Sequence, residues 1–142
     1  MPSTSRPHRP LLHPLHGILL AFPVALFAGA LLTDIAYLRT AEIQWSNFSS
    51  WLIVGALVGG GLTLIWSIVL AIRPARFTGR RRPLLYALLL AIMWIAGFIN
   101  AFQHSRDAWS SVGTTGLILS IISASFAVAA SWVAHAIGRE AA

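Results

Sequence analysis

Residues 51–72, WLIVGALVGGGLTLIWSIVLAI, carry no charge and decide the fold. A run of about twenty apolar residues, rising 1.5 Å per residue as a helix, matches a hydrocarbon layer of roughly 30 Å. Backbone groups in lipid must satisfy one another, so a run of this kind is helical across the membrane. Working outward, three further runs have the same character, and the spans expected are 16–38, 51–72, 83–102 and 115–137. The connections between them are short. We therefore expect one all-α domain over residues 1–142, a four-transmembrane-helix bundle.

Composition agrees with this reading. Of 142 residues, 57% are hydrophobic and only 10% are charged, with a mean hydropathy of +0.76. Both a water-soluble fold and a disordered chain are excluded, because each needs far more polar surface. The chain has no cysteine, which removes disulfides, Cys-ligated zinc, a thiolate nucleophile and covalent haem attachment. Net charge is +6, all from arginine, and on an apolar chain this points to anionic headgroups rather than nucleic acid. The lipid bilayer is the first partner. Ala28-Gly29-Ala30 has the look of a signal cleavage site, but the apolar run continues through Leu31 and Leu32, so it reads as an uncleaved first span.

Arginine placement predicts orientation. Arg6 and Arg9 precede the first span, Arg73, Arg76, Arg80, Arg81 and Arg82 lie between the second and third, and Arg139 follows the fourth. Only Arg39 and Arg106 fall on the other side. The positive-inside rule then puts both termini in the cytoplasm (N-in and C-in) and the 39–50 and 103–114 loops outside, with Trp45 and Trp109 at headgroup level.

Small residues predict the packing faces, since helices in lipid associate where backbones can approach. The second span has Gly55, Gly59, Thr63 and Ser67 at four-residue spacing, and the fourth has Gly116, Ser120, Ala124, Ala127, Ser131 and His135. Such stripes suit packing within one bundle or the seam of a homo-oligomer. The serines of the fourth span are expected to bond their own helix carbonyls. On the first span, His16, Pro23 and Asp34 share a face, with His16 and Asp34 about 27 Å apart along the axis. Pro23 removes a helical N–H and predicts a kink with a local polar patch there. Tyr86, Met93, Asn100 and His104 form a stripe on the third.

Two polar groups of residues follow. Asp34 within a span is costly and needs a partner, for which Asn100, His104, Arg39 and Arg106 are the candidates. A cluster of Asp34, Asn100 and His104 would lock helices together, hold a quinone head or pass protons. At the opposite boundary stand His13, His16 and His135. Imidazoles facing each other across a bundle are what a bis-histidine haem b needs, and His16 with His135 is the axial pair expected if haem binds. Metal binding by His13, His16 and His135 is a further reading, as is plain capping or hydration of helix ends. Phosphate loops, paired catalytic carboxylates, metalloprotease helices and a serine triad are absent from the sequence, so a catalytic role is not expected. No internal repeat is evident.

The segment His13-Pro14-Leu15-His16-Gly17, then Phe22-Pro23-Val24-Ala25-Leu26 and then Asp34, resembles the opening motif of the DUF2231 family of bacterial membrane proteins. Asn100, Arg106-Asp107-Ala108-Trp109 and Thr115-Gly116-Leu117 continue the likeness. Gly17 stands where the family pattern has a second proline. The resemblance implies a four-helix protein of the bacterial inner membrane that works beside periplasmic redox modules. From it come two expectations: a membrane anchor or interaction subunit serving an oxidoreductase or cytochrome partner, and a small electron-transfer protein binding haem b or quinone.

Overall fold

A computed structural model describes residues 13–72, 81–105 and 112–140, in which four helices follow one another. They are α1 (Pro14–Thr40), α2 (Ile43–Ile72), α3 (Arg81–His104) and α4 (Thr114–Glu140). All four are long and apolar enough to cross a membrane. Each span buries only 28% to 33% of its most apolar window inside the bundle, so lipid must cover the rest. The arginines Arg6, Arg9, Arg73, Arg76, Arg80 and Arg106, with Asp107 and Trp109, lie outside the described residues.

Local chemistry sets the helix ends. Pro14 occupies the first turn, where its missing N–H costs nothing, and His13 Nδ1 accepts from the Leu15 N–H at 3.3 Å as an N-cap. At the far end Ala41 turns left-handed with φ 56°, and its N–H donates to the Tyr37 carbonyl at 2.8 Å. Helix α2 then starts at Ile43, well before the expected Trp51, and the 39–50 loop shrinks to Ala41 and Glu42. The reason is that residues 43–50 contain no helix breaker and bury Ser46 and Ser49 against the bundle.

The helices form a ring in which each packs on its two neighbours, α1 and α3 lying across the diagonal. On α1 the buried positions are His16, Leu20, Pro23, Phe27, Ala30 and Asp34, alternating four and three apart. That 3.5-residue period is the seam of left-handed helix packing. On α3 the same alternation buries Tyr86, Leu90, Met93, Gly97, Asn100 and His104. The expected face carrying His16, Pro23 and Asp34 is thus the buried one.

Glycines let α1, α2 and α3 close on one another. A Cβ on Gly59 would stand 2.6 Å from the Phe22 Cβ, and one on Gly60 would stand 3.4 Å from Pro23. Pro23 does not end α1, and the flank it opens is covered by this glycine face. The Trp94 indole fits over Gly61 and donates to the Leu57 carbonyl at 3.1 Å. On α4 the buried stripe runs through Gly116, Ser120, Ser123, Ala127, Ala130 and Ala134, so its last turns depart from the expected Ser131 and His135. A strict four-residue row drifts about 40° per step at 3.6 residues per turn, and the chain corrects it with three-residue steps. His135 is left exposed.

Candidate functional site

Asp34 near the end of α1, Asn100 and His104 near the end of α3, and Ser120 in the second turn of α4 meet at one end of the bundle. Asp34, Asn100 and Ser120 are fully buried and His104 is 8% exposed. The Asn100 amide donates to Ser120 Oγ at 2.7 Å, and the Ser120 hydroxyl donates to Asp34 Oδ2. Asp34 Oδ1 lies 2.9 Å from His104 Nε2, and His104 Nδ1 lies 3.0 Å from the backbone carbonyl of Asn100. The ring of bonds closes on itself across three helices.

Proton positions follow from which atoms can only accept. The Asn100 carbonyl has no hydrogen to give, so His104 Nδ1 carries one and donates it. The Nε2 to carboxylate contact then holds one more proton, on the imidazole or on the acid. Either form has no net charge. This neutrality is how a carboxyl group is kept away from water at low cost, since an unpaired charge at this depth would be expensive. The Asn100 side-chain Oδ1 is buried without a hydrogen-bond partner and can still accept from one more donor.

At the other end, His16 is 2% exposed, and its Nε2 shares a 2.8 Å hydrogen bond with the Tyr86 hydroxyl. Its ring meets Trp66 edge-on at 5.3 Å, and His13 lies 5.8 Å from the same indole. His16 Nδ1 is buried and unpartnered. His135 sits on the exposed side of α4, where its Nδ1 donates to the Ser131 carbonyl at 2.7 Å. Among the described residues no hydrogen bond or ring contact joins His16 to His135, and no group of three or more metal-ligating side chains comes together. Between the two ends the core is mainly apolar, with Leu20, Phe27, Leu90 and Met93, and the buried Thr63 hydroxyl donates to the Gly59 carbonyl of its own helix at 2.8 Å.

The structure brings together Asp34, Asn100 and His104, and Asn100 reaches the carboxylate through Ser120. Ser120 was expected to bond its own helix, as Ser123 does to the Leu119 carbonyl at 2.8 Å. Its position on the small-residue stripe was the available signal. Arg39 is exposed, Arg106 lies outside the described residues, and His104 pairs with Asp34 through Nε2 and Oδ1. Tyr86, the partner of His16, lay on the predicted polar stripe of α3 without an assigned role.

Fold and site together define a multi-pass membrane protein, a four-helix bundle with a buried acid–base pair at one end. The family model of DUF2231, described as a predicted membrane protein, matches residues 12–142, and the chain belongs to that family. No curated protein and no solved structure matches it.

Proposed function

We propose that this chain is a subunit of the bacterial inner membrane, with both termini in the cytoplasm, that anchors and serves a redox partner on the outer face. The observation that carries the reading is the closed ring of Asp34, His104, Asn100 and Ser120. Its polar groups are spent mainly on holding α1, α3 and α4 to one another, and a mainly apolar core separates them from the His16 end. Such a bundle keeps its shape and presents short connections and lipid-facing helices to a neighbour. Exposed aromatic side chains at Trp51 and Trp132 suit a surface in contact with lipid or another membrane protein. The partner is an oxidoreductase or cytochrome.

The test is genetic and biochemical together. In a strain lacking this chain, the partner oxidoreductase should leave the membrane fraction or lose activity there, and it should co-purify with tagged full-length protein in mild detergent. A chain that purifies alone, from cells whose oxidoreductases stay membrane-bound without it, refutes the anchor reading.

A second reading is favoured by one specific observation, the buried and unpartnered Nδ1 of His16. A carrier binding haem b would use this end, with His13, His16 and His135 as the nitrogen donors at hand, whereas a quinone head would sit at the Asp34, Asn100 and His104 cluster, where Asn100 Oδ1 can still accept. Haem ligation by His16 Nε2 requires Tyr86 to give up its bond, and His135 has to turn in from the exposed side of α4. Reduced-minus-oxidised spectra of haem-replete protein should show a b-type band that His16→Ala and His135→Ala abolish. An absent band removes the haem version.

A further inference from the structure

The two polar contacts at opposite ends of the bundle span the same sequence distance, 70 residues from His16 to Tyr86 and 70 from Asp34 to His104. The agreement runs through the whole core. Shifting each of the six buried positions of α1 by 70 lands on a buried position of α3. Shifting the buried positions of α2 from Ser46 to Thr63 by 70 lands on those of α4 or one residue away, as Ser46, Ile53 and Gly60 go to Gly116, Ser123 and Ala130. A polar bond between the first two helices, Ser49 to the Ala30 carbonyl, likewise lies one residue from the shifted position of the Asn100–Ser120 bond. Parallel α1 and α3 on the diagonal, with neighbours packed in a ring, is the arrangement a two-fold axis along the bundle produces.

We infer that this bundle is two equivalent helical hairpins, α1–α2 and α3–α4, related by a two-fold axis along the membrane normal, whose paired on-axis residues have diverged into complementary partners. The two hairpins enter the membrane in the same orientation, which makes this a parallel repeat rather than an inverted one. On-axis positions are where equivalent residues meet, and there the two hairpins differ in kind. Asp34 faces His104, an acid against a base. Phe27 faces Gly97, and its ring tip occupies the place where a Cβ on residue 97 would lie, 2.4 Å away. His16 faces Tyr86.

This divergence dictates which hairpin binds which. Two copies of α1–α2 would set Asp34 against Asp34 and Phe27 against Phe27, a buried charge conflict and a clash. Two copies of α3–α4 would set Gly97 against Gly97 and leave a void. Only the mixed pair fills the core and shares one proton at the acid–base contact. The surface between the hairpins is thus an interface between unlike partners, held in one chain.

Equivalence makes a prediction that an ordinary ion pair does not. Ser120, which donates to Asp34, has the fully buried Ser49 as its counterpart on α2, and Ser49 now donates to the Ala30 carbonyl at 3.4 Å. In the full-length double variant Asp34→His/His104→Asp, the carboxylate moves to α3 and its serine partner becomes Ser49. Detergent unfolding titrations should show Asp34→His alone losing about tenfold or more in the unfolding equilibrium, with the double variant recovering most of it. Adding Ser49→Ala should then cost about tenfold while Ser120→Ala costs less than about twofold, the reverse of their effects in the native chain. Dependence that stays on Ser120, or a double variant no better than the single, overturns the inference. The independent exchange Phe27→Gly/Gly97→Phe keeps composition and should also unfold within about tenfold of the native chain, where each single change loses far more. Failure of both exchanges to fold likewise overturns it.

Discussion

Replacing Gly59 by alanine tests whether the close approach of α1 and α2 is what the bundle depends on. The added Cβ would lie 2.6 Å from the Cβ of Phe22, 3.3 Å from its Cγ and 3.7 Å from Pro23 Cδ. Carbon atoms rest at about 3.5–4.0 Å, so the gap is short by roughly 1 Å. Phe22 Cβ is attached directly to the α1 backbone and no rotamer moves it. The helices must separate, and separation loosens the neighbouring contacts of Gly55 with Leu26 and Gly60 with Pro23. Overpacking of this kind costs about 1–3 kcal/mol, and losing several contacts along the seam puts this site at the upper end, while alanine in place of glycine returns about 1 kcal/mol of helix propensity. The net expectation is a loss of about 2 kcal/mol. Gly17 supplies the control, since a Cβ there meets nothing within 4 Å, and Gly17→Ala should stabilise by about 0.5–1 kcal/mol. Detergent titration in mixed micelles, followed by helical circular dichroism, measures both. If Gly59→Ala proves as stable as the native chain while Gly17→Ala behaves as expected, the close α1–α2 contact is not limiting and the packing argument is wrong.

Other outcomes follow from the same geometry. Asp34→Leu strands the His104 and Ser120 donors and should destabilise by about 3–5 kcal/mol, and adding Asn100→Leu should cost much less than it does in the native chain because both belong to one ring; strictly additive unfolding energies would contradict a shared network. Ala41→Gly should raise stability by about 1 kcal/mol in the same titration, because the left-handed backbone at φ 56° penalises a Cβ. Reporter fusions should read cytoplasmic after Ala142 and external at Ala41, following the arginine bias of the short connections; an external reading after Ala142 overturns the orientation.

The number of spans, their all-helical state and the buried face of α1 were legible in the sequence. Each rests on a one-dimensional cause: apolar length against bilayer thickness, or residues spaced so that a helix puts them on one side. Asp34, Asn100 and His104 could be grouped for the same reason, since depth along a helix is a matter of counting and an ionisable group in a span demands a partner. Tertiary structure alone decided which atoms meet. Ser120 rather than Asn100 touches the Asp34 carboxylate because rotation of α4 about its own axis sets which side chain faces inward, and that rotation depends on how Ala127, Ala130 and Ala134 seat against their neighbours. The same rotation leaves His135 exposed. The start of α2 at Ile43 was hidden because hydropathy marks the lipid-crossing stretch, whereas a helix continues past it until the backbone meets a cap. The two-fold relation of the hairpins escaped the sequence because the on-axis pairs were chosen to complement each other, Asp with His and Phe with Gly. Complementary residues meeting on an axis share no identity, and only their common register in space shows them to be equivalent.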